Sequence, residues 1–210
     1  MVGHVDPYGE LRKPPRAEQT MGMPVAKNHM WTVEEVWALP ADLHHRYEVV
    51  DGALLVSPSP SLAHQRVILR LTMLFNQYLV GTRSGEVLMA PLDIVFDTVG
   101  MTQPDVMVFG KLSWEEARRD ARTRPLPRLV IEVLSPSTAL HDRYIKRDRY
   151  QRAGVECWIV DLSAQQIERW LPSAVVPEIY SDSIDWARGP AIEPLRLILA
   201  ELFRDIEGDE

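Results

Sequence analysis

Cysteine is almost missing from this chain. Cys157 is the only one in 210 residues, so no intrachain disulfide can form and no zinc site built from several thiolates is available. A reducing cytoplasm suits such a chain. Long apolar runs are missing too: none approaches the roughly 20 residues that a membrane-spanning helix needs. Residues 1–30 hold charges and prolines but no continuous apolar stretch, which argues against a secretory signal. Positive charge is in deficit. Lys and Arg number 23 against 30 Asp and Glu, a net charge of −7, which speaks against a protein that coats nucleic acid through many phosphate contacts. It does not exclude an enzyme acting on nucleic acid at one place, because a carboxylate site is acidic by design and a bound metal restores positive charge there.

What is present is ordinary globular material, 46% hydrophobic and 25% charged, enough to fill a core. Residues 1–29, with Pro7, Pro14, Pro15 and Pro24, read as a flexible arm, and residues 30–210 as a single domain. Thr32-x-x-Glu35 matches a capping box and opens a short helix that stops near Pro40. Residues 46–50 and 53–56 are strand-like runs around Asp51-Gly52, a hairpin signal. Residues 64–79 carry Val67, Ile68, Leu71, Leu74, Phe75 and Tyr78 at helical spacing, with Gly81 at the expected C-terminus. Strands are predicted at 86–96, 105–109, 129–134, 158–161 and 166–170. A loop with a short helix is predicted at 111–127, and a helix at 142–153, ended by Gly154. The apolar end, 194–203, is expected to pack back on the domain. This order predicts a mixed α/β domain around one sheet.

Glu132 stands out. It interrupts Leu129-Val130-Ile131-Glu132-Val133-Leu134, a run typical of a buried strand. A charged carboxylate there costs several kcal/mol unless it is paired or binds a metal. Asp105 follows Pro104 and precedes Val106-Met107-Val108-Phe109, so it projects from the start of a second buried strand. Two carboxylates on neighbouring strands make a hard oxygen site suited to magnesium, which can activate water and steady charge on a phosphoryl group. Lys146 lies one turn after Asp142 and one turn before Tyr150, on one helix face, where its charge can be held near the acids.

The ordered set Tyr47-Glu48-x-x-Asp51-Gly52, His64, Pro104-Asp105, Glu132-x-x-Ser135-Pro136-Ser137, Asp142-x-x-x-Lys146, Tyr150-x-x-Ala153-Gly154-Val155 and Trp158-x-x-Asp161 resembles the Uma-type restriction endonuclease family of the PD-(D/E)XK nuclease superfamily. The resemblance covers residues 32–170, and more weakly the tail to 203. It implies a restriction-endonuclease-like core, a central mixed β-sheet flanked by helices. It implies a Mg2+- or Mn2+-dependent endonuclease acting on DNA, with Asp105 and Glu132 as metal ligands, Lys146 as the catalytic lysine and Glu48 as an accessory acid. It also implies a homodimer. Two departures stand. The superfamily's basic form puts lysine two residues after the acid, where this chain has Leu134, so the lysine function falls to Lys146. The segment Gly154-Val155-Glu156-Cys157-Trp158 is one residue shorter than the commoner form, with Cys157 in an aromatic position.

Each residue has a plainer reading. Glu132 could be a structural acid paired with Arg or Lys, and Asp105 a turn acid at a strand start. Lys146 could be a solvated lysine pairing with Asp142, worth about 0.3 kcal/mol. Glu48 could be a surface acid on a half-exposed hairpin. His64 reads as a cap or packing residue and is left outside the catalytic set, and Ser135, Ser137 and Thr138 suit either phosphate contact or a turn. Arg118, Arg119, Arg122, Arg124 and Arg128, and separately Lys146, Arg147, Arg149 and Arg152, form basic clusters that either meet a phosphate backbone or pair with nearby acids. The rival to the enzyme is a catalytically inactive nuclease fold kept for nucleic-acid binding or protein interaction. A sugar hydrolase with paired carboxylates would need neither the lysine nor a metal.

Overall fold

The computed structural model describes residues 29–40, 42, 45–119, 125–187 and 192–206. The arm expected at 1–29 lies outside them up to residue 28, as do Arg122 and Arg124 of the first basic cluster.

The capping box forms as read: the Thr32 hydroxyl accepts from the Glu35 amide, and the Glu35 carboxylate accepts from the Thr32 amide. It starts helix α1, Val33–Trp37. The hairpin follows, with β1 at His45–Val50 and β2 at Ala53–Pro58. Asp51 and Gly52 both take positive φ in its turn, as a two-residue hairpin connection demands. Helix α2 spans Leu62–Thr82, with the Ser61 hydroxyl capping the His64 amide. It runs past Gly81, so that residue is not the terminator. Arg83 ends the helix instead, in the left-handed conformation with φ 50°.

The run expected as one strand at 86–96 is two. Strand β3, Gly85–Met89, pairs with β6, Val106–Gly110. Pro91 cannot donate to a ladder, and the chain leaves that sheet there. It re-enters a second sheet as β4, Ile94–Asp97, followed by β5, Gly100–Thr102. A helix α3, Lys111–Arg119, precedes β7, Leu129–Val133. The helix expected at 142–153 begins as a π-helix, His141–Lys146, and continues as α4, Arg147–Arg152. Strands β8, Glu156–Asp161, and β9, Gln166–Trp170, follow, then β10, Glu178–Tyr180, β11, Ser183–Trp186, β12, Leu195–Ile198, and α5, Leu199–Leu202.

The central mixed sheet flanked by helices is present as expected, and among the described residues two smaller sheets accompany it. The central sheet has the order β10-β9-β8-β7-β6-β3, with β7 and β8 parallel and the other pairs antiparallel. The second has the order β2-β1-β5-β4, and β11 pairs with β12. Strand alternation sends Leu129, Ile131 and Val133 to one face of β7, where Val67, Leu71 and Phe75 of α2 meet them. The β11–β12 hairpin and α5 add Ile184, Trp186, Leu197 and Phe203 to this core. The apolar end does pack back, as expected. Val130 points to the opposite face, among Met107, Cys157, Ile159 and Tyr150. Cys157 is fully buried there in its unusual position. Each such burial stabilises the fold by about 1.5–3 kcal/mol.

Candidate active site

The pairing of β6 with β7 decides where the acids go. Val106 faces Ile131 and Met107 faces Val130. One step further, Asp105 stands opposite Glu132, and directly opposed residues in an antiparallel pair share a face. Glu132 shares the alternation of Val130, and its carboxylate meets Lys146 of the π-helix and Tyr150 of α4, while the Asp105 carboxylate meets His64 in the first turn of α2 and Arg46 of β1. The second sheet brings a third acid. In β1, Arg46 and Glu48 lie two residues apart and project to the same side.

Lys146 ties the cluster together. Its ammonium lies 2.8 Å from Glu132 Oε1, 3.0 Å from Glu48 Oε1 and 3.1 Å from Asp142 Oδ1. An ammonium has three donors, and each finds a carboxylate. Lys146, Glu48 and Glu132 are each 1% exposed. The solvated lysine and the half-exposed Glu48 are therefore ruled out, although the Asp142–Lys146 pair does form. Asp105 is gripped at both oxygens: Arg46 Nη1 lies 3.2 Å from Oδ1, while the Val133 amide donates to Oδ2 at 2.9 Å and His64 Nε2 lies 3.2 Å from the same oxygen. Tyr150 donates its hydroxyl to Glu132 Oε1 at 2.5 Å. Gln103 is a junction. Its amide donates to Glu48 Oε1, its carbonyl accepts from Arg46, and its side-chain amide donates to Asp93.

The electrostatics follow from burial. Glu132 is pushed up to about 8 by burial, which Lys146 opposes and Asp142, Asp105 and Glu48 reinforce. Burial also pushes Asp105 up, but His64, Arg46 and Lys146 outweigh it and hold that carboxyl below its ordinary value. Burial pulls Lys146 down, yet Glu132, Glu48 and Asp142 win and keep it firmly protonated. Four buried acids, Glu48, Asp105, Glu132 and Asp142, thus face two permanent cations, Lys146 and Arg46. Fully ionised, the set would carry two unbalanced negative charges, which is the charge of one divalent cation.

Among the described residues, no group of three or more His, Cys, Asp or Glu could hold a metal ion between them. A three-carboxylate cage is thus absent there. Magnesium needs less, since it is commonly held by one or two carboxylates and keeps several waters. The carboxylate oxygens of Asp105 and Glu132, in a cluster with more acids than permanent cations, are of the chemical kind such an ion takes.

Sequence reasoning found Asp105, Glu132, Lys146 and Glu48, which come together. It set His64 aside and gave Arg46, Gln103 and Tyr150 no role. The signal for Tyr150 was the spacing Asp142, Lys146, Tyr150 along one face. For Arg46 it was the alternation with Glu48. The basic cluster on α4 is largely neutralised: Arg149 meets Asp51 and Asp97, Arg152 meets Asp51 and Asp148, and Arg147 stacks on Trp170. For that face the pairing reading holds, and no row of open phosphate contacts remains on it.

A family model described as Uma2, putative restriction endonuclease, matches residues 33–197. The crystal structure of a putative nuclease belonging to DUF820 from Anabaena variabilis is similar in fold. It has a TM-score of 0.64 at 20% identity, over 82% of this chain and 97% of that one. No curated protein matches the chain.

Proposed function

Because the chain belongs to the Uma2 restriction endonuclease family, we propose that it is a divalent-metal-dependent endonuclease hydrolysing phosphodiester bonds in DNA. The observation that carries this reading is the buried convergence of Glu48, Glu132 and Asp142 on Lys146, with Asp105 held by Arg46 and His64 beside them and four acids against two permanent cations. A fold selected for stability alone would fill that face of β7 with apolar side chains.

Asp105 and Glu132 would hold Mg2+ or Mn2+. Such an ion, when bound, polarises a phosphoryl oxygen and makes its water a nucleophile near neutral pH. The chain's own groups prepare the rest. Arg46, His64 and the Val133 amide fix the orientation of Asp105, and the Tyr150 hydroxyl fixes that of Glu132. Lys146 holds a proton firmly and places a positive charge beside the acids, where it stabilises a phosphoryl group gaining negative charge. Glu48 and Asp142 hold Lys146 in place. Glu132 holds its own proton up to about pH 8 in the metal-free protein, so ion binding there releases a proton and strengthens as pH rises.

The test is cleavage of plasmid and linear DNA with Mg2+ or Mn2+. Asp105→Ala and Glu132→Ala are each expected to lower the rate at least about a hundredfold, with circular dichroism unchanged. Wild-type protein that leaves every DNA substrate intact with both metals would defeat the reading. One observation favours a non-catalytic nuclease fold instead: Lys146 and Arg46 already engage the acids. Calorimetry separates the two, since that rival expects no divalent-ion binding and the same DNA affinity in the acid variants.

A further inference from the structure

Two clefts open from Asp105. One, of about 960 Å³, is rich in hydroxyls from Ser57, Ser61, Ser135, Ser137 and Thr138. The other, of about 710 Å³, is walled by Trp37, Tyr47, Met89, Pro40, Pro60 and Pro91. Both share Arg46, His64 and Asp105, so they form one trough that passes Asp105, with Asp142 on the wall of its hydroxyl half. Resting on the nuclease reading above, we propose that the apolar half takes an unpaired nucleobase of the substrate strand, stacked on Trp37, beside the phosphodiester to be cut. The substrate class is then nucleic acid with an unstacked base at the cut: a single strand, a flap, a bulge, or a base turned out of a duplex.

The chemistry of the two halves differs in the required sense. The hydroxyl half can donate to phosphate oxygens. Beyond the shared Arg46, His64 and Asp105, the apolar half carries Asp42 and Asp93 against His45 alone, whereas the hydroxyl half adds one carboxylate, Asp142, to its row of hydroxyls, so the hydroxyl half is the better ground for a phosphate. A flat, uncharged base suits this half, as apolar walls with a few placed polar groups suit small ligands generally. Asp93 offers acceptors to the amino groups on base edges.

Trp37 is 48% exposed, yet its ring is tethered. Its Nε1 donates to Asp93 Oδ2 at 2.7 Å, across 56 residues of chain. An indole fixed at its edge and lining a cleft can serve as a stacking platform. The tether also reaches the acids. Asp93 Oδ1 accepts from the Gln103 side chain at 2.8 Å, the Gln103 amide donates to Glu48 Oε1 at 2.8 Å, and Glu48 holds Lys146. An unbroken line of contacts thus runs from Trp37 to the buried ammonium, and it sets the distance between a stacked base and the bond under attack.

The experiment uses the full chain with Ca2+ in place of Mg2+, so that binding is read apart from cutting. Duplexes carrying 2-aminopurine, either unpaired in a bulge or fully paired, are titrated with protein. The unpaired probe is expected to bind more tightly, with its fluorescence quenched by the indole. Trp37→Ala is expected to cut the preference for unpaired over paired DNA about tenfold, and Trp37→Phe to keep most of it. Melting curves confirm that both variants are folded, and Met89→Ala provides an independent change in the same wall with a smaller loss. A wild-type complex in which 2-aminopurine stays bright, or an undiminished preference in Trp37→Ala, overturns the base pocket and leaves cleavage untouched. Protein that binds no DNA and cuts none with Mg2+ or Mn2+ sinks the nuclease reading, and this pocket with it.

Discussion

Glu132 holds its proton to about pH 8, against an ordinary value of 4.5. A raised carboxyl stabilises the fold fully below its unfolded value, and that contribution is lost as pH rises through the folded one. Glu132→Gln keeps the shape and removes the charge. In metal-free buffer it is expected to melt at a higher temperature than wild type above pH 8, with the gain vanishing below about pH 4.5. A scan of melting temperature against pH checks this, and equal curves would mean that the buried charge costs nothing. Stability gained at the expense of function is common at active sites. This residue was legible in the sequence because a lone acid in an apolar run is conspicuous. Lys146 was legible mainly through resemblance, because an i,i+4 pair with Asp142 looks the same whether solvated or buried. The Asp105 partners were not. Arg46 and His64 reach it from β1 and α2, tens of residues away, and no local pattern encodes that meeting.

Helix α2 shows how an element can be read correctly and ended wrongly. Its apolar periodicity fixed its face and its partners, but Gly81 lies inside it and Arg83 takes the left-handed position at its end. Glycine costs about 0.5–1 kcal/mol against alanine within a helix, and it suits a left-handed cap. A Cβ at Gly81 meets nothing within 4 Å. Gly81→Ala and Arg83→Gly are therefore each expected to stabilise the protein by about 0.5–1 kcal/mol, as read by urea denaturation. A loss at either site would mean that the end of α2 is built otherwise. The split of 86–96 into β3 and β4 was hidden for a related reason: an apolar run says buried, not which sheet. Pro91 was the available clue. Strands β10 to β12 are three or four residues long, too short to display an alternation.

At the scale of the molecule, the second sheet is joined to α4 by charge. Asp51 and Asp97 come from its loops and edge, and Arg149 and Arg152 from the helix. Burial pushes Asp97 up, but the Val99 amide and Arg149 prevail and hold it below its ordinary value. Its contribution is present above about pH 3.8 and lost as pH falls through the lower folded value. The Asp97 and Asp51 side chains are about half exposed, at 45% and 51%, so salt weakens the joint. The Lys146 cluster ties the same two sheets from inside and is almost wholly buried. It acts as an internal counter-ion. Where a zinc finger collapses under a chelator, Lys146 and Arg46 already offset part of the buried negative charge here. EDTA is expected to abolish hydrolysis while shifting the melting temperature by no more than about 2 °C, and a large drop would mean that the ion is structural. On the proposed reading, a divalent ion would be a reagent rather than a strut, and the protein would wait, folded and harmless, for the cell to supply it.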